Sequence, residues 1–391
     1  MKKLVIAGCG MGYVLTEEIK AEIESSDIVC GAPRLIANVK GRDTAEVYTY
    51  EKIKPYFESC NKITVLFSGD AGFYSGSARL LKAAEKEDID IKVIPGISCV
   101  SYLASVLGKS YDDAAIISMH GRKDKDAELV FAVKYNEKTY VLTSGAEQVK
   151  ESIRLLEKYF SKEELKIYAG VNLSYPDESV FEITDGVKQA EGLCTLLIEN
   201  ASPDKKEFGR VLLDEDFVRG DVPMTKQEIR QISIGKLRLS EGDVLLDLGC
   251  GTGSVAVSAA YLSPKIKVFA VDKNPEAIRL TKENALKHKC ENVICVRADI
   301  LDYINTGEFE RPSHAFIGGS GGRLLEIVKR LKEINPEIVI VVNAITLETI
   351  SACTQLLSPE GEAVFVQVDR SRNVGSTKMM ISENRIMIAR L

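Results

Sequence analysis

Two stretches in the second half of the chain pair glycines with acids at a spacing that suits a nucleoside. Residues 243–253, Asp-Val-Leu-Leu-Asp-Leu-Gly-Cys-Gly-Thr-Gly, run an apolar strand into a glycine turn, and a second apolar run ends in Asp272, 23 residues after Gly249. In a doubly wound α/β sheet such glycines let a ligand touch backbone, and an acid at the second strand end can grip ribose hydroxyls. The spacing is Gly249-x-Gly251-x-Gly253, not the Gly-x-Gly-x-x-Gly that cradles a pyrophosphate. A dehydrogenase reading fails on that spacing. A nucleoside without phosphates is expected, with S-adenosylmethionine the leading candidate. Asp272 takes the ribose, or caps the next helix at Asn274-Pro275, or does both. Asp299, at the third strand end, reaches the adenine or caps a strand end.

His314-Ala-Phe-Ile-Gly-Gly-Ser-Gly-Gly-Arg323 is the second informative element. Gly318, Gly319, Gly321 and Gly322 with Ser320 stand between a strand and a helix, where successive N–H groups can form an anion nest. A substrate carboxylate is the natural occupant, with Arg323 as its partner; the alternative is a tight turn. Amino-directed nucleic-acid methyltransferases often carry Asn/Asp-Pro-Pro-aromatic at this strand end, and that motif is absent here. The chain has three histidines, His120, His288 and His314. His120 follows a strand and can face a ligand. His288 near Cys290 and Cys295 lacks a fourth ligand, so no metal site is expected. Cys250 reads as a small packing residue.

The first half has its own glycine loops. A strand leads into Gly8-Cys-Gly-Met-Gly12, Ile63–Phe67 leads into Ser68-Gly-Asp-Ala-Gly-Phe-Tyr74, and Ile91–Ile94 leads into Pro95-Gly-Ile-Ser98. Three such loops imply one crevice at the carboxyl edge of a sheet, of a different kind from that of the second half. Basic residues sit at expected loops: Arg34, Arg122 and Lys123, then Arg323, Arg370, Arg372 and Lys378. They suit a substrate with many carboxylates; ordinary surface charge is the other reading.

These sites need strands that alternate with helices, and the apolar runs do so throughout, which reads as α/β with mainly parallel sheets. In the second half, strands are expected at 243–249, 267–272, 293–299, 313–319, 337–345 and 363–370. A last strand at 385–391 returns as an antiparallel partner. Helices are expected at 254–262, 275–288, 321–334 and 347–357. Thr225-Lys-Gln-Glu228 matches a capping box that starts a helix carrying Ile229, Ile232 and Leu237. The division is residues 1–200, a linker at 201–209, and 210–391. At 391 residues, two or three domains are expected. A net charge of −6 argues against nucleic acid as a partner, and nine cysteines without a framework suggest reduced thiols in a cytoplasm. No stretch approaches the ~20 apolar residues of a membrane span, so no membrane partner is expected.

Together the motifs resemble two families fused in one chain. Gly8–Gly12, Gly69-Asp-Ala-Gly-Phe-Tyr74, Pro95-Gly-Ile-Ser98 and Met119-His-Gly-Arg122 resemble a tetrapyrrole (corrin/porphyrin) methylase. That family usually has Gly-Asp-Pro where this chain has Gly69-Asp70-Ala71. Residues 223–391 resemble its partner methyltransferase, through Pro223-Met-Thr-Lys226, Asp247–Gly253, Phe316–Gly322 and Val342-Asn-Ala-Ile-Thr-Leu-Glu348. The order is that of the fused precorrin carbon-5, carbon-15 methyltransferases (decarboxylating) of cobalamin biosynthesis.

The resemblance implies a tetrapyrrole-methylase fold followed by a Rossmann-like class I methyltransferase domain. It implies two S-adenosylmethionine sites. The first is lined by Gly8, Gly10, Gly69, Asp70, Ser98 and Met119, and serves carbon 5. The second uses Thr225, Gly249, Cys250, Gly251, Thr252, Gly253, Asp272, Asp299 and Ile300. It serves carbon 15 and releases carbon dioxide from the ring-C acetate. Gly318 to Gly322 with Arg323 bind substrate. No acid or base is assigned; His120 and Arg323 are the candidates. The partner is a small-molecule tetrapyrrole, and a homo-oligomer is expected. Two other readings stand beside this one, an RNA methyltransferase with an accessory domain and a sensor that binds the nucleoside without turnover.

Overall fold

The computed structural model describes residues 2–13, 15–120, 125–184, 192–205 and 211–391. Gly121, Arg122, Lys123 and residues 206–209 of the expected linker lie outside the described residues. Two compact units emerge, 1–123 with 136–203 and 124–135 with 204–391.

The first unit holds two sheets. Strands β1 (Lys3–Gly8), β2 (Ile28–Gly31), β3 (Asp43–Ala45), β4 (Lys62–Phe67) and β5 (Asp90–Ile94) pair in parallel in the order β3-β2-β4-β1-β5. Val5 and Ala7 face one core and Leu4 and Ile6 the other, as period-2 alternation requires in a sheet covered on both faces. The second sheet joins β6 (Ala115–Ser118), β7 (Lys138–Leu142), β8 (Leu165–Val171), β9 (Ser179–Glu182) and β10 (Cys194–Asn200) in the order β6-β7-β10-β8-β9. Only its β6–β7 pair is parallel among the described strands. This sheet is the exception to the parallel pairing that prevails in the main sheet of each unit. Apolar runs report burial, and strand direction is set by connections that the runs do not encode.

The second unit carries β11 (Val244–Leu248), β12 (Lys267–Asp272), β13 (Val293–Arg297), β14 (His314–Ile317), β15 (Val339–Ala344), β16 (Glu362–Val366), β17 (Asp369–Val374), β18 (Thr377–Ser382) and β19 (Ile386–Arg390). Its main sheet runs β13-β12-β11-β14-β15-β19-β16, with β19 antiparallel to both neighbours. The chain reverses direction across the sheet between β11 and β14, and in such folds ligands bind at that switch point.

Several boundaries moved. The strand expected at 363–370 is β16 plus the start of a hairpin, β17–β18, and a helix forms at Ile300–Thr306, where no element is expected. The helix expected from 321 starts at Leu324, because Gly321 and Gly322 adopt φ of 57° and 80°. The capping box does not form: the helix Gln227–Leu237 has Lys226 as N-cap without a side-chain bond. Thr225 offers its carbonyl to Arg230 Nη1 at 2.6 Å, and Glu228 pairs with Arg370.

The helix Asp126–Tyr135 comes from the first half of the chain yet groups with the second unit. Lys134, 4% exposed, donates from Nζ to the His288 carbonyl at 2.9 Å. The ammonium lies 4.2 Å from the Tyr261 ring and 4.9 Å from the Tyr135 ring. A desolvated cation between ring faces is attracted by both. Lys134→Ala is expected to cost the second unit about 2 kcal/mol, read by denaturant unfolding of the full chain; a loss below roughly 0.5 kcal/mol, as at a surface site, would contradict the assignment.

Candidate functional site

In the first unit the loops after β1, β4 and β5 lock together by backbone. Gly10 and Gly69 exchange two hydrogen bonds, at 3.0 and 3.1 Å, and Asp70 Oδ1 accepts from the Gly96 N–H at 3.1 Å. A Cβ on Gly96 would stand 2.3 Å from the Gly69 carbonyl oxygen and 2.5 Å from that of Gly8. Only glycine permits this approach. Ser98 caps the helix Cys99–Leu107 by accepting from Ser101 N.

Above these loops opens a cavity of about 1060 Å³, at the upper end for small-ligand sites. Gly69, Asp70, Ser98 and His120 line it; Gly8, Gly10 and Met119 are not among its lining residues. Met119 is buried, its N–H on the Leu142 carbonyl and its carbonyl accepting from Gln148 Nε2 at 2.7 Å. Sequence reasoning missed Tyr74 and Arg79, which also line the cavity. Tyr74 has φ of 46°, uncommon for a bulky residue, and its hydroxyl donates to the Ile116 carbonyl at 3.2 Å. The chain thus holds an aromatic ring between the β4 loop and β6. The signal was present in the aromatic pair that closes the Gly-Asp-Ala-Gly loop.

In the second unit a pocket of about 300 Å³ sits at the switch point. Thr225, Gly249, Cys250, Gly251, Asp272, Asp299, Ile300, Gly318, Gly319, Ser320, Gly321 and Arg323 line it, joined by Pro223, Lys273 and Ala298. Thr252, Gly253 and Gly322 are not among its lining residues. Thr252 gives its carbonyl to Asn284 Nδ2 at 2.9 Å, and a Cβ on Gly253 would meet the Thr281 side chain. Both residues seat the helix Pro275–Lys287.

The acids of this pocket are held rather than loose. Asp272 Oδ2 accepts from Gly251 N at 3.1 Å and Oδ1 from Asn274 N at 2.9 Å. The helix cap is Asn274, which accepts from Glu276 N. Asp299 caps the helix Ile300–Thr306 through Leu301 N at 3.0 Å. Its other oxygen takes Arg323 Nη2 at 2.5 Å, and that guanidinium holds the carboxyl below the usual carboxylate range. The Arg323 guanidinium, expected as a partner for a substrate carboxylate, is thus paired with Asp299 in this structure. Burial pushes the Cys250 thiol up, which suits a packing residue.

The other histidines stand elsewhere. His314 opens β14, four residues before Gly318 and so ~13 Å down the strand. His288 Nε2 lies 2.9 Å from the Asp216 carbonyl, its ring against Phe217 and Tyr261. Among the described residues no group of three or more His, Cys, Asp or Glu could hold a metal ion. Nor is any described helix long and apolar enough to cross a membrane.

Residues 216–389 match the model of the precorrin methyltransferase domain. A protein of Pyrobaculum calidifontis named "Probable cobalt-precorrin-6B C(15)-methyltransferase (decarboxylating)" is 38% identical over 181 residues, which are 45% of this chain and 92% of that protein. The chain belongs to the precorrin methyltransferase family. A protein of the same name from Methanocaldococcus jannaschii is 35% identical over 181 residues, covering 45% of this chain and 94% of that protein. These relatives answer to the precorrin methyltransferase half alone. Residues 3–186 match the model of tetrapyrrole (corrin/porphyrin) methylases. The solved structure of a precorrin-6y C5,15-methyltransferase from Geobacter metallireducens is 32% identical, covering 46% of this chain and 96% of that one, with a TM-score of 0.42.

Within the precorrin methyltransferase domain one acid was quoted in the opening motif but given no role. Asp247 ends the glycine strand, fully buried; Oδ2 accepts from Ala256 N at 2.9 Å and Oδ1 has no hydrogen-bond partner among the described residues. Burial pushes its carboxyl up to about 7, and the charge of Asp272 adds to the rise. An unfolded aspartate titrates near ~3.9. Between those values the folded chain binds a proton that the unfolded chain has lost, so stability falls as pH rises through the window. Asp247→Asn removes that dependence. Relative to the natural chain, the variant is expected to gain stability from about pH 4 to about pH 7 in urea unfolding; a pH-independent difference would sink the assignment.

Proposed function

We propose that this chain transfers two methyl groups from S-adenosylmethionine to one precorrin-6B or cobalt-precorrin-6B type tetrapyrrole, at carbons 5 and 15, and releases carbon dioxide from the ring-C acetate. The observation that carries the reading is the 38% identity across 92% of a relative named for decarboxylating C(15) methylation, in a chain that adds a second, unlike cavity. The first unit serves carbon 5 and the second carbon 15 and the decarboxylation. The partner is the tetrapyrrole, without nucleic acid or membrane, and the compartment is the cytoplasm. Self-association is supported by the β17–β18 hairpin, which exposes Met379 and Met380.

The residues of the second pocket fit a nucleoside. A Cβ on Gly251, whose φ is 55°, would stand 2.5 Å from the Pro223 carbonyl oxygen, so the turn is open only while this residue has no side chain. Asp272 is oriented by two N–H groups and keeps lone pairs for ribose hydroxyls. S-adenosylmethionine supplies an electrophilic methyl group on a sulfonium. This chain's residues then have to align a meso carbon with it, and alignment alone can contribute about 7–11 kcal/mol to such a displacement. The nest at Gly319 to Gly321 orients a carboxylate, and the macrocycle takes the electron pair that carbon dioxide leaves behind.

Incubation with S-adenosylmethionine and precorrin-6B, or its cobalt form, is expected to give a product with two added methyls and one lost carbon dioxide by mass spectrometry. An unchanged tetrapyrrole mass with both forms would refute the function. Gly251→Val is expected to abolish carbon-15 methylation and carbon dioxide release while sparing carbon 5. Gly96→Val should do the reverse, since its Cβ enters the first set of loops. Loss of both methylations in either variant, with both chains folded by circular dichroism, would contradict two separate sites.

A further inference from the structure

We propose that Arg34 and Arg79 hold peripheral carboxylates of the tetrapyrrole in the first cavity, and so decide which substrates the first unit accepts; the inference rests on the function proposed above. Arg34 lies in the short helix Pro33–Ile36 after β2, and Arg79 in the helix Ser77–Ala84 after β4. β2 and β4 are parallel neighbours, so both side chains come from the sheet edge that carries the glycine loops. Across the order β2-β4-β1-β5, the Arg34 end lies three strand spacings, ~14 Å, from the β5 loop that bears Gly96 and Ser98. The cavity therefore has one end at the Gly96–Ser98 loop and another at Arg34, far enough from it to leave room for a second, larger molecule.

Charge separates the two ends. Asp70 is the one acid among the lining residues, and it is tied to the Gly96 N–H at the glycine end. Neither Arg34 nor Arg79 has an acid within 4.0 Å among the described residues, although both line the cavity. The wall also carries Phe73 and the tethered Tyr74. Aromatic side chains and unneutralised arginines suit a flat conjugated ring with acids on its rim. Each planar guanidinium can take a carboxylate through two parallel N–H donors.

The test follows product mass and site of methylation in the full chain. With Arg34→Gln and Arg79→Gln, the tetrapyrrole concentration needed for half-maximal carbon-5 methylation is expected to rise about tenfold for each, as for loss of one charge-assisted pair. Carbon-15 methylation continues, so a singly methylated, decarboxylated product accumulates. Added tetrapyrrole restores the second methyl and added S-adenosylmethionine does not; lysine at either position recovers part of the loss. Unchanged half-saturation, rescue by S-adenosylmethionine, or an equal fall in both methylations would overturn the assignment while the functional reading stands. If the natural chain methylates no tetrapyrrole, both fall together.

Discussion

Both units depend on loops brought so close at the strand ends that a neighbour's backbone fills the space a side chain would need. In the first unit the Gly69 and Gly8 carbonyls occupy the place of a Gly96 side chain. In the second, the Pro223 carbonyl does the same at Gly251. Loops packed in this way are held largely by backbone, with one carboxylate in each unit, Asp70 and Asp272, as a tie. Their side chains and remaining N–H groups can therefore face a ligand. The parallel sheets beneath supply the rigidity: Leu4, Val5, Ile6 and Ala7 in one unit and Leu245, Leu246 and Leu248 in the other are fully buried. A rigid sheet fixes where each strand ends, and so where each loop can meet its neighbour.

The carboxylates show a second economy. Asp272 ties the glycine turn to the start of the next helix, and Asp299 ties a helix cap to Arg323. Each acid keeps acceptor capacity for a ligand while its position is already fixed. Asp299 and Arg323, which the motifs keep apart, meet as an ion pair on the wall of one pocket.

The fold class and glycine loops were legible because they follow from local rules: apolar alternation for strands, glycine where backbone must approach, an acid at a strand end. Strand direction in the β6–β10 sheet was not legible, since long-range connection decides it. The helix Ile300–Thr306 was missed although Asp299 is a ready N-cap, because the segment is short and follows directly on a strand. The capping box at Thr225 failed for a tertiary reason: the Glu228 carboxylate that would complete it pairs with Arg370, and the helix starts one residue later, with Lys226 as N-cap. In the candidate sites, Asp272, Asp299 and the glycines could be named from spacing. Tyr74 could have been, from its place at the close of the Gly-Asp-Ala-Gly loop, but Arg79 could not, because a cationic residue on a helix looks the same whether it faces water or a cavity. Asp247 stood in plain view as the one charge in Val-Leu-Leu-Asp-Leu, and its burial is what pushes its carboxyl up.

The helix Asp126–Tyr135 has a consequence for how the chain is made. It leaves the ribosome well before the residues it packs on, since His288 and Tyr261 follow Lys134 by more than a hundred positions. At ~5–20 residues per second, the residues that Lys134 contacts emerge on the order of ten seconds after it. The second unit is thus assembled from two stretches of chain made at different times, and it can be completed only when the later one has been synthesised.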